Sequence, residues 1–143
     1  HNDHVNAVGD LVRATGATAS RHPDDRVLWD QSQTEPPGGE LTDGQVFTVG
    51  DVELTVVHTP GHAPGACCLH APALGVLLSG DTLFSGGAGA TGRSFSDFPT
   101  IIDSIRERLL TLPTDTVVLT GHGDTTTIGD VPRLIELPIT VAV

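Results

Sequence analysis

The apolar positions of this chain change period as it proceeds. From Asn6 to Thr15 they follow roughly helical spacing at Val8, Leu11, Val12 and Ala14, and Gly16 stands where a helix would end. Ala17 to Ser20 is a short strand candidate. His22-Pro23-Asp24-Asp25 opens a second short helix through Trp29, with Pro and both acids in the first turn, where unpaired N–H groups and the dipole favour them. His22 therefore reads as a cap rather than a ligand. Gln31 to Gly39 is polar, contains Pro36-Pro37-Gly38-Gly39, and predicts a loop.

Beyond that loop the period becomes two. Gln45 to Val49 and Val52 to His58 alternate around Gly50-Asp51, the pattern of a hairpin. Ala66 to Leu69 and Val76 to Ser79 form another strand pair around Pro72 to Gly75. Phe84 to Asp97 is a long loop of small residues, and loops of that length are more often functional than idle. Ile101, Ile102, Ile105, Leu109 and Leu112 mark one face of a helix, with Pro99 near its start and Pro113 beyond its end. Thr116 to Leu119 is a β-branched, buried-looking strand. Val131 to Val143 contains Pro132 and Pro138 and is not expected to be one continuous helix.

Composition narrows the function classes. The chain has 143 residues, 18 acidic against 7 basic, and a formal net charge of −11; all the basic residues are Arg. One domain over residues 1–143 is the expectation from length. So acidic a surface repels phosphate backbones and anionic lipid, which argues against nucleic acid or a membrane as partner. No apolar run is long enough to span a bilayer. Cys67 and Cys68 are adjacent, so on a strand they point to opposite faces, and reduced thiols in a cytoplasmic protein are expected. They read as small core residues.

Candidate chemistry gathers where strands stop. His62, Asp81 and His122 each follow an apolar or β-branched run and stand beside glycine, as when a sheet delivers ligands from its strand ends onto tight turns. Together with His1, Asp3 and His4 they supply nitrogen and oxygen donors suited to a pair of divalent ions, zinc or iron. Each residue also has an ordinary reading. A strand-end His is usually hydrogen-bonded, Asp81 could close its own turn, and Asp3 could cap a helix. The conjunction of all the segments, in order, favours the metal reading.

The segments His1-Asn2-Asp3-His4, His58-Thr59-Pro60-Gly61-His62, Ser79-Gly80-Asp81-Thr82-Leu83-Phe84 and Gly121-His122-Gly123-Asp124 resemble the metal-binding motifs of the metallo-β-lactamase superfamily, in its hydroxyacylglutathione hydrolase (glyoxalase II)-like branch. The resemblance implies an α/β fold, the αβ/βα sandwich. It implies two divalent metals, zinc in the first instance, with iron or manganese as alternatives. His1 and His62 would hold the first metal, Asp3, His4 and His122 the second, and Asp81 would bridge them. Asp3 would also orient the attacking water and take its proton. The implied reaction is cleavage of a thioester or related small ester by metal-bound hydroxide. A mononuclear iron persulfide dioxygenase of the same superfamily is the alternative, and a truncated chain without turnover is another.

The family's first motif has one more His ahead of His1, so the chain reads as the C-terminal portion of a longer protein, an incomplete sandwich lacking its N-terminal strands. Such a piece would leave apolar sheet surface uncovered. In the glyoxalase II branch that the chain resembles, a helical C-terminal extension with basic and Tyr residues holds glutathione; this chain has no Lys and no Tyr, so a glutathione thioester is not the expected substrate. Gly92-Arg93-Ser94 resembles a family loop in which Arg93 would position an anionic substrate, although Arg in a Gly-rich loop also serves to order it. His58 is expected to be a hydrogen-bonded strand His or to orient a ligand, His70 to lie at the surface, and Trp29 to pack its helix.

Overall fold

The computed structural model describes residues 1–131, and the expectation for Val131 to Val143 falls, past its first residue, outside the described residues. Two compact units divide the chain, His1–Thr42 and the part from Asp43 onward.

In the first unit, α1 (Asn2–Val5) is a single turn and α2 (Val8–Thr15) closes on Gly16, whose φ of 71° is the left-handed stop the sequence predicts. Gln33 Nε2 donates to Val5 O at 2.8 Å and fastens the end of α1. The short strand begins later than expected: β1 (Ser20–Arg21) pairs in parallel with β2 (Gly39–Glu40), which takes the last glycine of the Pro-Pro-Gly-Gly loop. His22 is extended, and its Nδ1 accepts the Asp24 N–H at 3.3 Å, so it is the cap that the sequence suggests. A 3-10 turn over Pro23–Asp25 leads into α3 (Arg26–Trp29). Trp29 is buried and its Nε1 donates to Glu35 O at 2.9 Å, which satisfies the one polar atom of an otherwise apolar ring.

The second unit is built on a six-stranded sheet. Its strands in chain order are β3 (Val46–Val49), β4 (Val52–His58), β5 (Cys67–Ala71), β6 (Val76–Gly80), β9 (Val117–Thr120) and β10 (Thr126–Thr127). Between β6 and β9 the predicted loop contains a small ribbon, β7 (Leu83–Phe84) paired with β8 (Gly87–Ala88). Spatial order is β10-β9-β6-β5-β4-β3. Every neighbouring pair is antiparallel except β6 and β9, which are parallel and are joined by a crossover through α4 (Phe98–Ser104).

α4 starts on an Asp97 cap, whose carboxylate accepts the Thr100 N–H at 2.9 Å, and continues as a π-helical turn over Ile105–Leu109. Leu112, predicted on this helix, falls beyond its end. The wider turn keeps Ile101, Ile102, Ile105 and Leu109 all facing the sheet, each no more than 4% exposed. They pack on Cys68, Leu77 and Val118. Burying each such aliphatic side chain contributes roughly 1.5–3 kcal/mol against exposure. Leu78, Val117 and Leu119 alternate with those residues along the strands and so belong to the opposite face; they remain 38%, 38% and 37% exposed.

Candidate metal centre

Strand direction assembles the site in the second unit. β4 is antiparallel to β5, β5 is antiparallel to β6, and β6 is parallel to β9, so β4, β6 and β9 all run the same way. Their C-terminal ends lie along one edge of the sheet, and those ends carry His62, Asp81 and His122.

After β4 the chain turns through Gly61 at φ 132°. A side chain there would place its Cβ 2.3 Å from the backbone nitrogen of Ile101, so glycine allows the start of α4 to lie directly against the turn. Asp97 N donates to Gly61 O at 2.7 Å and Ser104 Oγ to Pro60 O at 2.7 Å, which lock helix and turn together. His62 follows with its side chain 13% exposed. Its Nδ1 lies 2.7 Å from Ala90 O. A carbonyl only accepts, so Nδ1 carries a proton, and in the neutral ring Nε2 presents a lone pair.

Asp81 leaves β6 after Gly80, with its side chain 12% exposed. Thr82 N donates to Ser79 O at 3.1 Å, which closes the turn. Gly89 lies against it so closely that a Cβ would fall 1.8 Å from the Asp81 carbonyl oxygen. From β9, Gly121 N donates to Gly80 O at 2.8 Å, tying the third turn to the second. The Thr120 hydroxyl donates to His122 O at 2.8 Å. The His122 ring stands 5.0 Å from the Phe84 ring, and its side chain is 64% exposed.

His62 Nε2 and His122 Nε2 each lie 3.5 Å from the same Asp81 oxygen, Oδ2. That is longer than a charge-assisted hydrogen bond, which falls near 2.7–2.9 Å. It is close to the separation of two atoms that share one ion: ligands at about 2.0–2.1 Å in tetrahedral geometry stand roughly 3.3–3.4 Å apart. Each imidazole nitrogen, one with its ring's tautomer set by a carbonyl, therefore stands from Asp81 Oδ2 at the spacing of two ligands on a shared divalent ion. The chemistry of the donor set suits zinc or iron more than magnesium or calcium.

In the first unit His1 caps α1, and Asp3 and His4 both lie on it, with His4 Nε2 3.5 Å from Asp3 Oδ2. Asp3 is not the cap; it sits inside the first turn. Arg93 is exposed in the loop before α4. The loop is ordered by Ser96, whose Oγ accepts from Gly92 N at 2.9 Å and Arg93 N at 3.1 Å, so the Arg93 side chain is not what holds it. His58 meets Pro64 O through Nε2 at 2.9 Å, the behaviour of a hydrogen-bonded strand His. His70 is half-buried on β5 rather than at the surface. Cys68 is wholly buried, its thiol pushed up to about 11 by burial against the hydrogen bonds from Thr59 and Thr82. Sequence reasoning missed the Ala90 carbonyl and the glycine contact at position 89. Only the run of small residues from Ser85 to Ala90 hinted that another backbone comes close there.

Residues 1–122 match the sequence pattern of the metallo-beta-lactamase superfamily. A protein of Aquifex aeolicus described as uncharacterized is 38% identical over 141 residues, covering 90% of this chain and 67% of that protein. The hydroxyacylglutathione hydrolase GloC of Haemophilus influenzae is 37% identical over 91 residues, covering 64% of this chain and 43% of its own length. The chain thus spans less than half of that curated relative. Among solved structures, the BLEG-1 B3 metallo-beta-lactamase superposes with a TM-score of 0.83 at 30% identity, covering 91% of this chain and 69% of that one. TTHA1623 in a di-iron-bound form gives 0.81 at 34% identity, with 90% and 69% covered. ETHE1 from Myxococcus xanthus gives 0.76 at 26% identity, with 91% and 55% covered.

Proposed function

Because this chain belongs to the metallo-beta-lactamase superfamily and has its mixed α/β fold, we propose that it carries the metal centre of a hydrolase that cleaves a thioester or a related small ester. The observation that carries the reading is the placement of His62 and His122 around one oxygen of Asp81. The match to a hydroxyacylglutathione hydrolase over 64% of the chain supports the substrate class.

In this proposal His1 and His62 would hold one divalent ion, Asp3, His4 and His122 would hold a second, and Asp81 would serve both. Zinc is the first candidate, and the di-iron form of TTHA1623 supports iron as the other. When bound, such ions supply an acidified water and a Lewis acid for the substrate carbonyl. Asp3 would orient that water and accept its proton. In the net reaction the water oxygen would join the acyl carbon as the carbon–sulfur or carbon–oxygen bond breaks, and the proton held by Asp3 would pass to the leaving group, which departs as thiol or alcohol. The Ala90 carbonyl keeps His62 in its ligating tautomer. Arg93, exposed and not engaged in ordering its own loop, receives the anionic part of the substrate. The reduced Cys67 and Cys68 favour a reducing compartment such as the cytoplasm.

The likeness to ETHE1 favours a second reading, a single-iron persulfide dioxygenase of the same superfamily. Metal analysis of the purified chain beside Asp81→Ala separates the readings. Near two zinc-type ions, falling sharply in the variant and accompanied by thioester hydrolysis, is the expected result. One iron with oxygen consumption would replace the hydrolase reading by the dioxygenase. Metal content unchanged by Asp81→Ala would overturn both.

A further inference from the structure

Beneath the site, the turns bearing His62 and Asp81 are joined by buried polar side chains that no metal role accounts for. Thr59 precedes His62 by three residues and Thr82 directly follows Asp81. Their hydroxyl oxygens lie 2.9 Å apart, and the two residues are 0% and 1% exposed. Thr59 Oγ1 is 3.3 Å from Cys68 Sγ, and that thiol donates to Ser79 O at 3.5 Å. Cys68 and Ser79 are both wholly buried.

Buried hydroxyls that lose their partners cost the full desolvation of the group, so the order of donors matters. With its titration pushed up to about 11, Cys68 keeps its proton at neutral pH and is a donor. One order that uses each proton once runs from the Thr82 hydroxyl to Thr59, from Thr59 to Cys68, with Ala66 O at 3.5 Å as the other acceptor in reach of Thr59, and from Cys68 to Ser79 O. Both ends of this chain are on the Asp81 turn, at residues 79 and 82, and its middle is Thr59, at the start of the His62 turn, and Cys68 on β5. A second path closes the circuit. Gly89 N donates to Thr82 O at 3.0 Å, and the next carbonyl, Ala90 O, lies 2.7 Å from His62 Nδ1.

We infer that Thr59 and Thr82 are positioning residues, whose buried hydroxyl pair holds the His62 and Asp81 turns at a fixed separation and thereby sets the metal affinity of the site. The inference rests on the metal reading proposed above. It goes beyond the ligands themselves to the group that spaces them. Valine has nearly the shape of threonine but neither donates nor accepts, whereas serine keeps the hydroxyl. The two substitutions separate hydrogen bonding from packing.

The test is Co²⁺ titration of the chain, followed by absorption, for wild type and for Thr82→Val, Thr59→Val, the double valine variant, Thr82→Ser, Thr59→Ser and Asp81→Ala. Both valine variants are expected to bind Co²⁺ about tenfold more weakly, the size typical of losing a group that orients a ligand. The serine variants retain wild-type affinity, and the double valine variant binds no more weakly than either single one. Wild-type affinity in Thr82→Val, with Asp81→Ala losing the ion, sinks this inference and leaves the metal reading standing. Serine variants as weak as the valine ones sink it too, because packing would then be the cause. Should the wild-type chain bind no Co²⁺, the metal reading fails, and with it the claim about affinity. The hydroxyl pair itself is checked by thermal unfolding without metal, where the double valine variant should melt no lower than the weaker single one. Additive losses would overturn the pair.

Discussion

Gly61→Ala tests how the sheet and α4 share the ligand turn. The added Cβ would lie 2.3 Å from Ile101 N, 2.4 Å from its Cα and 2.5 Å from its Cβ, where ordinary contact starts at 3.4 Å. The start of α4 would have to retreat by about 1 Å, against the resistance of four core residues no more than 4% exposed. That retreat breaks the bond from Asp97 N to Gly61 O and strains the one from Ser104 Oγ to Pro60 O. Each lost hydrogen bond costs about 1 kcal/mol, and holding alanine at so positive a φ costs roughly 1–3 kcal/mol. The expected loss is about 2–4 kcal/mol, a large share of the 5–15 kcal/mol typical of a whole domain. Urea unfolding followed by circular dichroism reads it as a lower midpoint at unchanged slope. Gly86→Ala is the control, because a Cβ there meets nothing within 4 Å and its φ is ordinary; it should stay within about 0.5 kcal/mol. A Gly61→Ala chain that loses less than about 1 kcal/mol would refute the close approach of α4 to the turn.

Other consequences can be checked alongside. Leu77 and Leu78 are neighbours on β6, 0% and 38% exposed, so Leu77→Ala should cost about 2–5 kcal/mol and Leu78→Ala far less; equal losses would contradict the face assignment. Burial pushes the Asp43 carboxyl up, but the His58 N–H at 2.8 Å and the Arg108 guanidinium outweigh it and hold the group below its ordinary value of 3.8. Its stabilisation is therefore complete above that value and fades as pH falls through the lower, folded one. Asp43→Asn should cost about 1 kcal/mol at pH 7, modest because the carboxylate is half-exposed, and nothing in strong acid; a gap that persists there would refute the linkage. Ellman's reagent should count at most one thiol, Cys67, in the native chain at pH 8 and both in urea, since the Cys68 thiol is wholly buried and pushed up to about 11; two thiols reacting promptly in the native chain would show that the core opens there.

Much of the architecture could be read from local pattern, because local pattern follows the period of the backbone. The hairpin over Gln45 to His58 appears as β3 and β4, Gly16 ends α2, and Ile101 to Leu109 face the core. The candidate donors could be picked out for a similar reason: His62, Asp81 and His122 each stand next to glycine where a strand stops, and a tight turn at a strand end is where a donor can be presented. What these residues could not state was their spacing. That three of their strands run the same way is a property of pairing order, which depends on contacts between segments far apart in sequence. The same holds for Ala90, an unremarkable residue whose carbonyl sets the His62 tautomer. It holds again for Gly61, needed because a helix forty residues later lies against it. Side-chain type and periodicity are written locally and can be read one residue at a time. Distances between turns exist only once the sheet has brought them together, and here those distances decide whether the donors can share an ion.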